Sequence, residues 1–273
     1  MVLLERLSSN NFVKLFVYGK KVIGYIWYEV PVEIPVRIWS LYVKPEYINL
    51  LTPNILNSFN NTVLSYETCE DEINNQTLIN LGFNKVKPSI LMNIKLNDYN
   101  KNIQVDKIKY NLENDYKLLR KVNSIYNSNI DKINITCQKV ILKKDEELRC
   151  EIQNSIFSAT TRVPLEIQDI ETDIEQDYYI ENLSLFIKIN DIAIGYGQII
   201  FNRDMYTVVN FGIIKEFRKY GFGKILLNQL IFEAKENGIY ELFIRVEENN
   251  FNALKLYNWI GFRPKSIINK WER

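Results

Sequence analysis

Short apolar runs and longer amphipathic stretches alternate along this chain and predict a succession of strands and helices. The runs NFVKLFVY (11–18) and VIGYIWYEV (22–30) are rich in β-branched and aromatic residues, and Gly19, Lys20 and Lys21 between them predict a β-hairpin. A third such run, VRIWSLYV, follows a Pro-containing turn at 31–35. Helix-like stretches around 52–63 and 71–80 flank the strand LSYETCE, and SILMNIKL ends the first half. The chain turns polar at NDYNKNIQV (97–105), which places a domain boundary there and predicts two domains, 1–100 and 101–273. After it come a predicted strand KIKYNL, a helix ENDYKLLRKVNSIYN and another helix around 145–159. Strands LSLFIKIN, IAIGYGQIIF and YTVVNFGII follow, the first two joined at Asn190 and Asp191, and then the amphipathic ILLNQLIFEAKENG and the strand ELFIRV.

The second half repeats the first in order. Ile23-Gly24-Tyr25 recurs as Ile194-Gly195-Tyr196, VKPEY (43–47) as IIKEF (213–217), and Leu81-Gly82-Phe83 as Ile260-Gly261-Phe262. The first two pairs keep nearly the same offset, whereas the third makes the N-terminal copy shorter after its turn. Two related α/β domains are the expectation.

Composition narrows the chemistry. With 34 Lys+Arg against 33 Asp+Glu the net charge is +1, so no whole-protein field draws in nucleic acid or an anionic membrane, and neither is expected as a partner. Cys69, Cys137 and Cys150 are odd in number and lack CxxC or CxxH spacing, which suits a reducing cytoplasm and predicts neither a disulfide framework nor a metal site. The N-terminus has no leader-like order and no apolar run approaches the roughly 20 residues of a spanning helix, so a soluble cytoplasmic protein is expected. Histidine is absent, which removes the commonest general base and leaves proton chemistry to Tyr, Asp, Glu, Lys or water.

One turn stands out against this background. RKYGFGK, 218–224, joins the strand TVVNFGII to the helix that begins at Ile225. A turn that presents backbone N–H groups at a helix start binds phosphate, because those donors are unpaired and the helix dipole is positive there. Gly221 and Gly223 carry no Cβ to block the approach, and Arg218 adds a cation. After the strand ELFIRV, NFNALKLYNWIGF (250–262) fits N-x-x-A-x-x-L-Y-x-x-x-G-F, in which a short helix carries Tyr257 back toward the turn.

The two motifs in this order resemble the signature of the GNAT superfamily of acyl-CoA-dependent N-acetyltransferases, well over about 106–273 and in degenerate form over about 10–97. The resemblance implies an α/β (α+β) protein of two GNAT-like domains, each a mixed, mostly antiparallel twisted sheet flanked by helices. It implies acetyl-CoA as cosubstrate, its pyrophosphate held by Arg218, Lys219, Tyr220, Gly221, Phe222, Gly223 and Lys224. Phe211 and Ile213 on the splayed strand would face the pantetheine arm, Asn250 would hydrogen-bond the cofactor beside Ala253, and Tyr257 would protonate the departing thiolate.

The resemblance implies an amine acceptor, a small molecule or a peptide amine that can be cationic, which must lose a proton: an alkylamine of pKa about 10.4 is neutral in about one molecule in 2,500 at pH 7. Relatives place a glutamate on the strand before the turn, yet Tyr206–Ile214 contains no carboxylate, and Glu216, Glu247 and Glu248 are the nearby alternatives. EIQDIETDIEQDYYIE (166–181) carries seven acids and no bases; it would attract a cationic amine or simply be a solvated helix. In the N-terminal copy the positions of Arg218, Gly221 and Gly223 are held by Ile48, Leu51 and Pro53, and that of Tyr257 by Leu78, so no coenzyme A is expected there. A non-catalytic acyl-CoA-binding or scaffold protein, and a transferase drawing aminoacyl groups from tRNA, are the competing readings.

Overall fold

The computed structural model describes residues 2–8, 11–29, 36–59, 62–69, 75–97, 99, 103–158 and 163–273; the expected turn at 31–35 and residue 100 at the expected boundary lie outside them. The first part of the chain forms β1 (Val2–Ser8), β2 (Asn11–Tyr18), β3 (Lys21–Glu29), β4 (Val36–Val43), β5 (Leu64–Cys69), α1 (Asn75–Asn80), β6 (Asn84–Lys85) and β7 (Ser89–Lys95). Then follow α2 (Ile103–Glu113), α3 (Tyr116–Tyr126), β8 (Ile135–Lys139), α4 (Glu146–Phe157), α5 (Ile167–Ile174), β9 (Tyr179–Ile189) and β10 (Ile192–Asn202). β11 (Met205–Ile213), α6 (Phe222–Glu236), β12 (Glu241–Glu247), α7 (Phe251–Ile260) and β13 (Arg263–Glu272) complete the order.

Two compact units result. The first comprises Met1–Leu91, Val246–Asn250 and Lys265–Arg273, and the second Met92–Arg245 and Phe251–Pro264. A single cut at 100/101 therefore differs from the observed partition, because β13 pairs antiparallel with β5 (Ile268↔Cys69 through Glu272↔Ser65) inside the first unit.

In the first unit the strand order is β1-β2-β3-β4-β5-β13, antiparallel except for the β4–β5 pair, which is parallel at Val36↔Leu64 to Ile38↔Tyr66. Period-two alternation along β3 buries Ile26 and Tyr28 and exposes Tyr25 and Trp27. The core joins Phe16, Ile23, Ile26, Leu64, Leu78 and Trp271. Ahead of the expected hairpin, β1 adds a strand, paired with β2 from Val2↔Val17 to Ser8↔Asn11. Of the helix-like stretch around 52–63, Pro53–Phe59 forms a 3-10 helix, consistent with Pro53, Asn54, Asn57 and Ser58, which favour caps and turns over α-helix interiors; residues 60 and 61 lie outside the described residues.

The second unit has the order β7-β12-β11-β10-β9-β8, with β11 and β12 parallel. KIKYNL, expected as a strand, lies in α2. Val105, Ile108 and Leu112 recur there at helical spacing, Val105 and Leu112 are buried, and Ile108 packs beneath the 218–224 turn. β8 was not anticipated from the sequence; it pairs with β9 from Ile135↔Ile189 to Lys139↔Leu185.

The words repeated in the sequence occupy matching places. Gly24 and Gly195 each leave no room for a Cβ, which would lie 2.2 Å from the Tyr42 carbonyl oxygen and 2.7 Å from that of Gly212. The Lys44 and Ile214 amides donate to the Ile23 and Ile194 carbonyls. At the helix ends, Phe83 N–H donates to Leu78 and Phe262 N–H to Tyr257, each 3.0 Å, with Gly82 (φ 85°) and Gly261 (φ 121°) in between. This is one C-terminal cap used twice, and it pairs Leu78 with Tyr257.

Candidate functional site

The turn at 218–224 is fixed from several sides. Phe217 and Phe222, both fully buried, anchor its ends with ring centroids 6.4 Å apart. Lys219 (φ 71°) and Gly221 (φ 102°) take left-handed dihedrals, which cost an L-residue about 1–2 kcal/mol and glycine almost nothing. A Cβ on Gly221 would stand 2.8 Å from Ile108, and one on Gly223 3.3 Å from Leu256 of α7. Gly221 is the N-cap of α6, with no side chain capping the helix. The amides of Phe222 and Gly223 thus face outward from the positive end of the helix with no intrahelical acceptor, an arrangement suited to a phosphate.

Arg218 is employed differently from a loose cation at the rim. Its Nε donates to the Ile213 carbonyl and its Nη2 to the Ile156 carbonyl, both at 2.8 Å, so it staples the turn to the end of β11 and the last turn of α4. The cations left at the turn are exposed Lys219 and Lys121 of α3, whose Nζ donates to the Glu216 carbonyl and stands 5.1 Å from the Tyr220 ring centroid. Lys224 is drawn onto Trp259, its Nζ 3.7 Å from the ring centroid.

β11 opens ahead of the turn. Its parallel ladder with β12 consists of Thr207↔Phe243 and Val208↔Ile244, so Val209–Ile213 run on without that neighbour. On the other side a bulge interrupts the ladder with β10 between Gln198↔Val209 and Tyr196↔Gly212, with Asn210 in a left-handed conformation (φ 50°). Phe211 and Ile213 lie on this stretch. The Phe211 and Tyr257 ring centroids are 6.3 Å apart, and Tyr257 is 7 % exposed. Burial pushes the Tyr257 phenol up to about 12, so it carries its proton throughout the neutral range. Ala253 is half-buried on α7, whereas Asn250 is exposed and belongs with Val246–Asn250 to the first unit. Glu216, Glu247 and Glu248 are all exposed.

Sequence reasoning missed a buried polar cluster behind the bulge. Arg149 and Gln153 sit one helical turn apart on α4, each 1 % exposed. Arg149 Nη2 donates to Asp173 Oδ2 and to Gln198 Oε1, the latter at 2.8 Å. Its guanidinium lies 5.3 Å from the Tyr196 ring and 5.6 Å from that of Tyr179. Burial disfavours the Arg149 charge, but Tyr196 and Asp173 more than offset it and hold its pKa above the usual value. Tyr178 donates to Asp173 Oδ1 at 2.7 Å. Arg149, Gln153, Asp173 and Tyr178 line a cavity of about 440 Å³ that also touches Asn210. Gln198, a polar residue inside the apolar run IAIGYGQII, was the available signal. Of the acidic stretch 166–181, Asp173 is committed to Arg149, and Asp169 Oδ2 accepts from the Glu166 amide at 2.7 Å. The remaining carboxylates, including Glu171, Glu175 and Asp177, are solvated.

The sheet of the second unit parts between β11 and β12 beside a glycine turn at a helix start. Solved structures share the fold over nearly the whole chain. A GCN5-related N-acetyltransferase from Sphaerobacter thermophilus matches 98% of this chain and 81% of its own, with TM-score 0.67 at 13% identity. A tandem GNAT protein from the clavulanic acid biosynthesis pathway matches 98% and 84%, with TM-score 0.59 at 11% identity.

Residues 151–262 match the Acetyltransferase (GNAT) family. The chain is also similar to the [ribosomal protein bS18]-alanine N-acetyltransferase of Haemophilus influenzae, 38% identical over 85 residues. That match covers 31% of this chain and 58% of the relative. The enzyme of the same name from Escherichia coli strain K12 is 31% identical over 64 residues, covering 23% of this chain and 43% of its own. The chain thus spans about half the length of these curated relatives.

Proposed function

We propose that the second unit is an N-acetyltransferase that moves the acetyl group of acetyl-CoA directly to an amine within a ternary complex. The observation that carries this reading is the glycine turn: Gly221 (φ 102°) begins α6 with no side chain capping it, and Gly223 on the first turn lies beside Phe211 and Ile213, on the stretch of β11 that has lost its β12 neighbour. Those amides would hold the pyrophosphate, with Lys219 and Lys121 supplying cations. The strand edge at Phe211–Ile213 would take the pantetheine arm. Tyr257, protonated at neutral pH, is suited to donate to the thiolate as it leaves, and its proton returns from solvent. No carboxylate stands on Tyr206–Ile214, so the ammonium would shed its proton to water or to a side chain outside this strand. The curated relatives are named for acetylating an alanine of a ribosomal protein, which favours an acceptor amine next to a carbonyl.

The first unit we read as a degenerate copy that binds no coenzyme A. Ile48 and Leu51 are buried core side chains at the positions of Arg218 and Gly221. The Arg273 guanidinium donates to the Pro53 carbonyl at 2.8 Å. Calorimetric titration with acetyl-CoA tests both statements. One site per chain that disappears in Gly221→Glu is expected, and two sites would overturn the reading of the first unit. Absence of binding at millimolar ligand would overturn the cofactor assignment. Binding without thiol release for any amine would favour a non-catalytic acyl-CoA binder.

A further inference from the structure

We infer that the cavity between α4, α5 and the β11 bulge is the acceptor pocket, and that it selects an amine carrying a neutral carbonyl beside it, as in an α-amino amide. The inference rests on reading the neighbouring turn as the acetyl-CoA site. Position comes first. Asn210 of the bulge belongs to the cavity wall, and three residues on, Ile213 is stapled by Arg218 to the end of α4. α4 packs so closely on β11 that a Cβ on Gly212 would lie 2.3 Å from Ile156. One helix therefore runs from the turn, at Ile156, to the cavity, at Gln153 and Arg149.

Donor count gives the ligand chemistry. Arg149 Nη2 is used by Asp173 and Gln198, but Arg149 Nε and Nη1 and Gln153 Nε2 have no hydrogen-bond partner among the described residues. A buried donor left unpaired costs about 1–3 kcal/mol, so a group of them lining a cavity calls for an acceptor oxygen. Charge then decides which oxygen. Asp173 already neutralises Arg149, and Asp169 adds a further negative charge to the lining. A carboxylate would bring its charge into a pocket without net positive charge, whereas a neutral carbonyl accepts the same hydrogen bonds without that repulsion. Asp169, the lining carboxylate not paired with Arg149, favours an incoming ammonium over other ligands. A volume of about 440 Å³ fits a group of amino-acid size.

The test compares three acceptors with saturating acetyl-CoA: alaninamide, free alanine and ethylamine, read by thiol release. Calorimetric binding of acetyl-CoA is measured on the same preparations. Alaninamide is expected to exceed both others at least about tenfold in kcat/KM, the discrimination of a site built to hydrogen-bond its substrate. Gln153→Leu should remove most of the advantage over ethylamine and leave acetyl-CoA affinity unchanged. Equal rates for the three amines, a preference for alanine, or release with none of them overturns the inference while acetyl-CoA binding stands. So does an equal loss on all three in Gln153→Leu, which would make Gln153 part of the framework only. Failure to bind acetyl-CoA overturns the cofactor reading and this one with it.

Discussion

Replacing Arg218 separates two meanings of an arginine at a phosphate turn. If its charge met the phosphate, Arg218→Lys would preserve binding, and Arg218→Ala would cost affinity with little change in stability. The structure gives the guanidinium another task, holding the Ile213 and Ile156 carbonyls at 2.8 Å each. Hydrogen bonds from a charged donor contribute about 1.5–3 kcal/mol each, and the exposure of Arg218 argues for the lower end. Alanine should then cost about 3 kcal/mol. Lysine, which can serve one of two carbonyls so far apart in sequence, should cost about half of that. For a unit of this size 1 kcal/mol shifts Tm by about 2–4 °C, so thermal unfolding should fall by about 6–12 °C in Arg218→Ala and about 3–6 °C in Arg218→Lys. Acetyl-CoA affinity should drop in both variants, because the turn loses its attachment. A lysine variant with wild-type melting and wild-type affinity would refute the staple.

Three further outcomes follow from geometry described above. Tyr257→Phe should lower kcat about a hundredfold, within the usual range for a lost general acid. It should also improve alkaline stability: the buried phenol ionises near 12 rather than 10, so wild-type stability is intact below pH 10 and falls relative to the variant by up to about 2.7 kcal/mol as pH rises to 12, measurable by urea titration. Arg149→Met leaves Asp173 without its partner and should cost about 3 kcal/mol, and adding Asp173→Asn should recover part of it; additive losses in the double-mutant cycle would deny the coupling. A chain ending at Pro264 lacks the buried Trp271 and the β13–β5 ladder, so hydrogen exchange should rise across β5 and β4; unchanged protection there would contradict the pairing.

How much of this was legible in the sequence differs from element to element. The turn could be read because its chemistry is local: Gly221 is demanded by its own dihedral and by Ile108 at close range. The hairpins and the repeated Ile-Gly-Tyr word were legible for the same reason, since a glycine facing a carbonyl on the next strand leaves no substitute. α2 was misread because KIKYNL is shorter than two helical turns, and six residues do not separate the two periods. The destination of β13 was invisible, because a strand's neighbour is chosen by the tertiary fold and not by its own pattern. Nothing local in the sequence marks Arg149; its partners Asp173 and Gln198, 24 and 49 residues away, make it an interior residue.

The placement of β13 also bears on how this chain is made and inherited. Strand β5 emerges from the ribosome some two hundred residues before its partner Ile268–Glu272, so the first unit cannot close its sheet until the second has been synthesised. Until then the β5 edge is open to pairing with other nascent chains, a hazard that favours slow commitment of the first unit. The same crossing ties the two units together in inheritance: a deletion that removes the first unit's strands takes β5 from β13, and one that trims the last nine residues takes the buried Trp271 from the first unit's core.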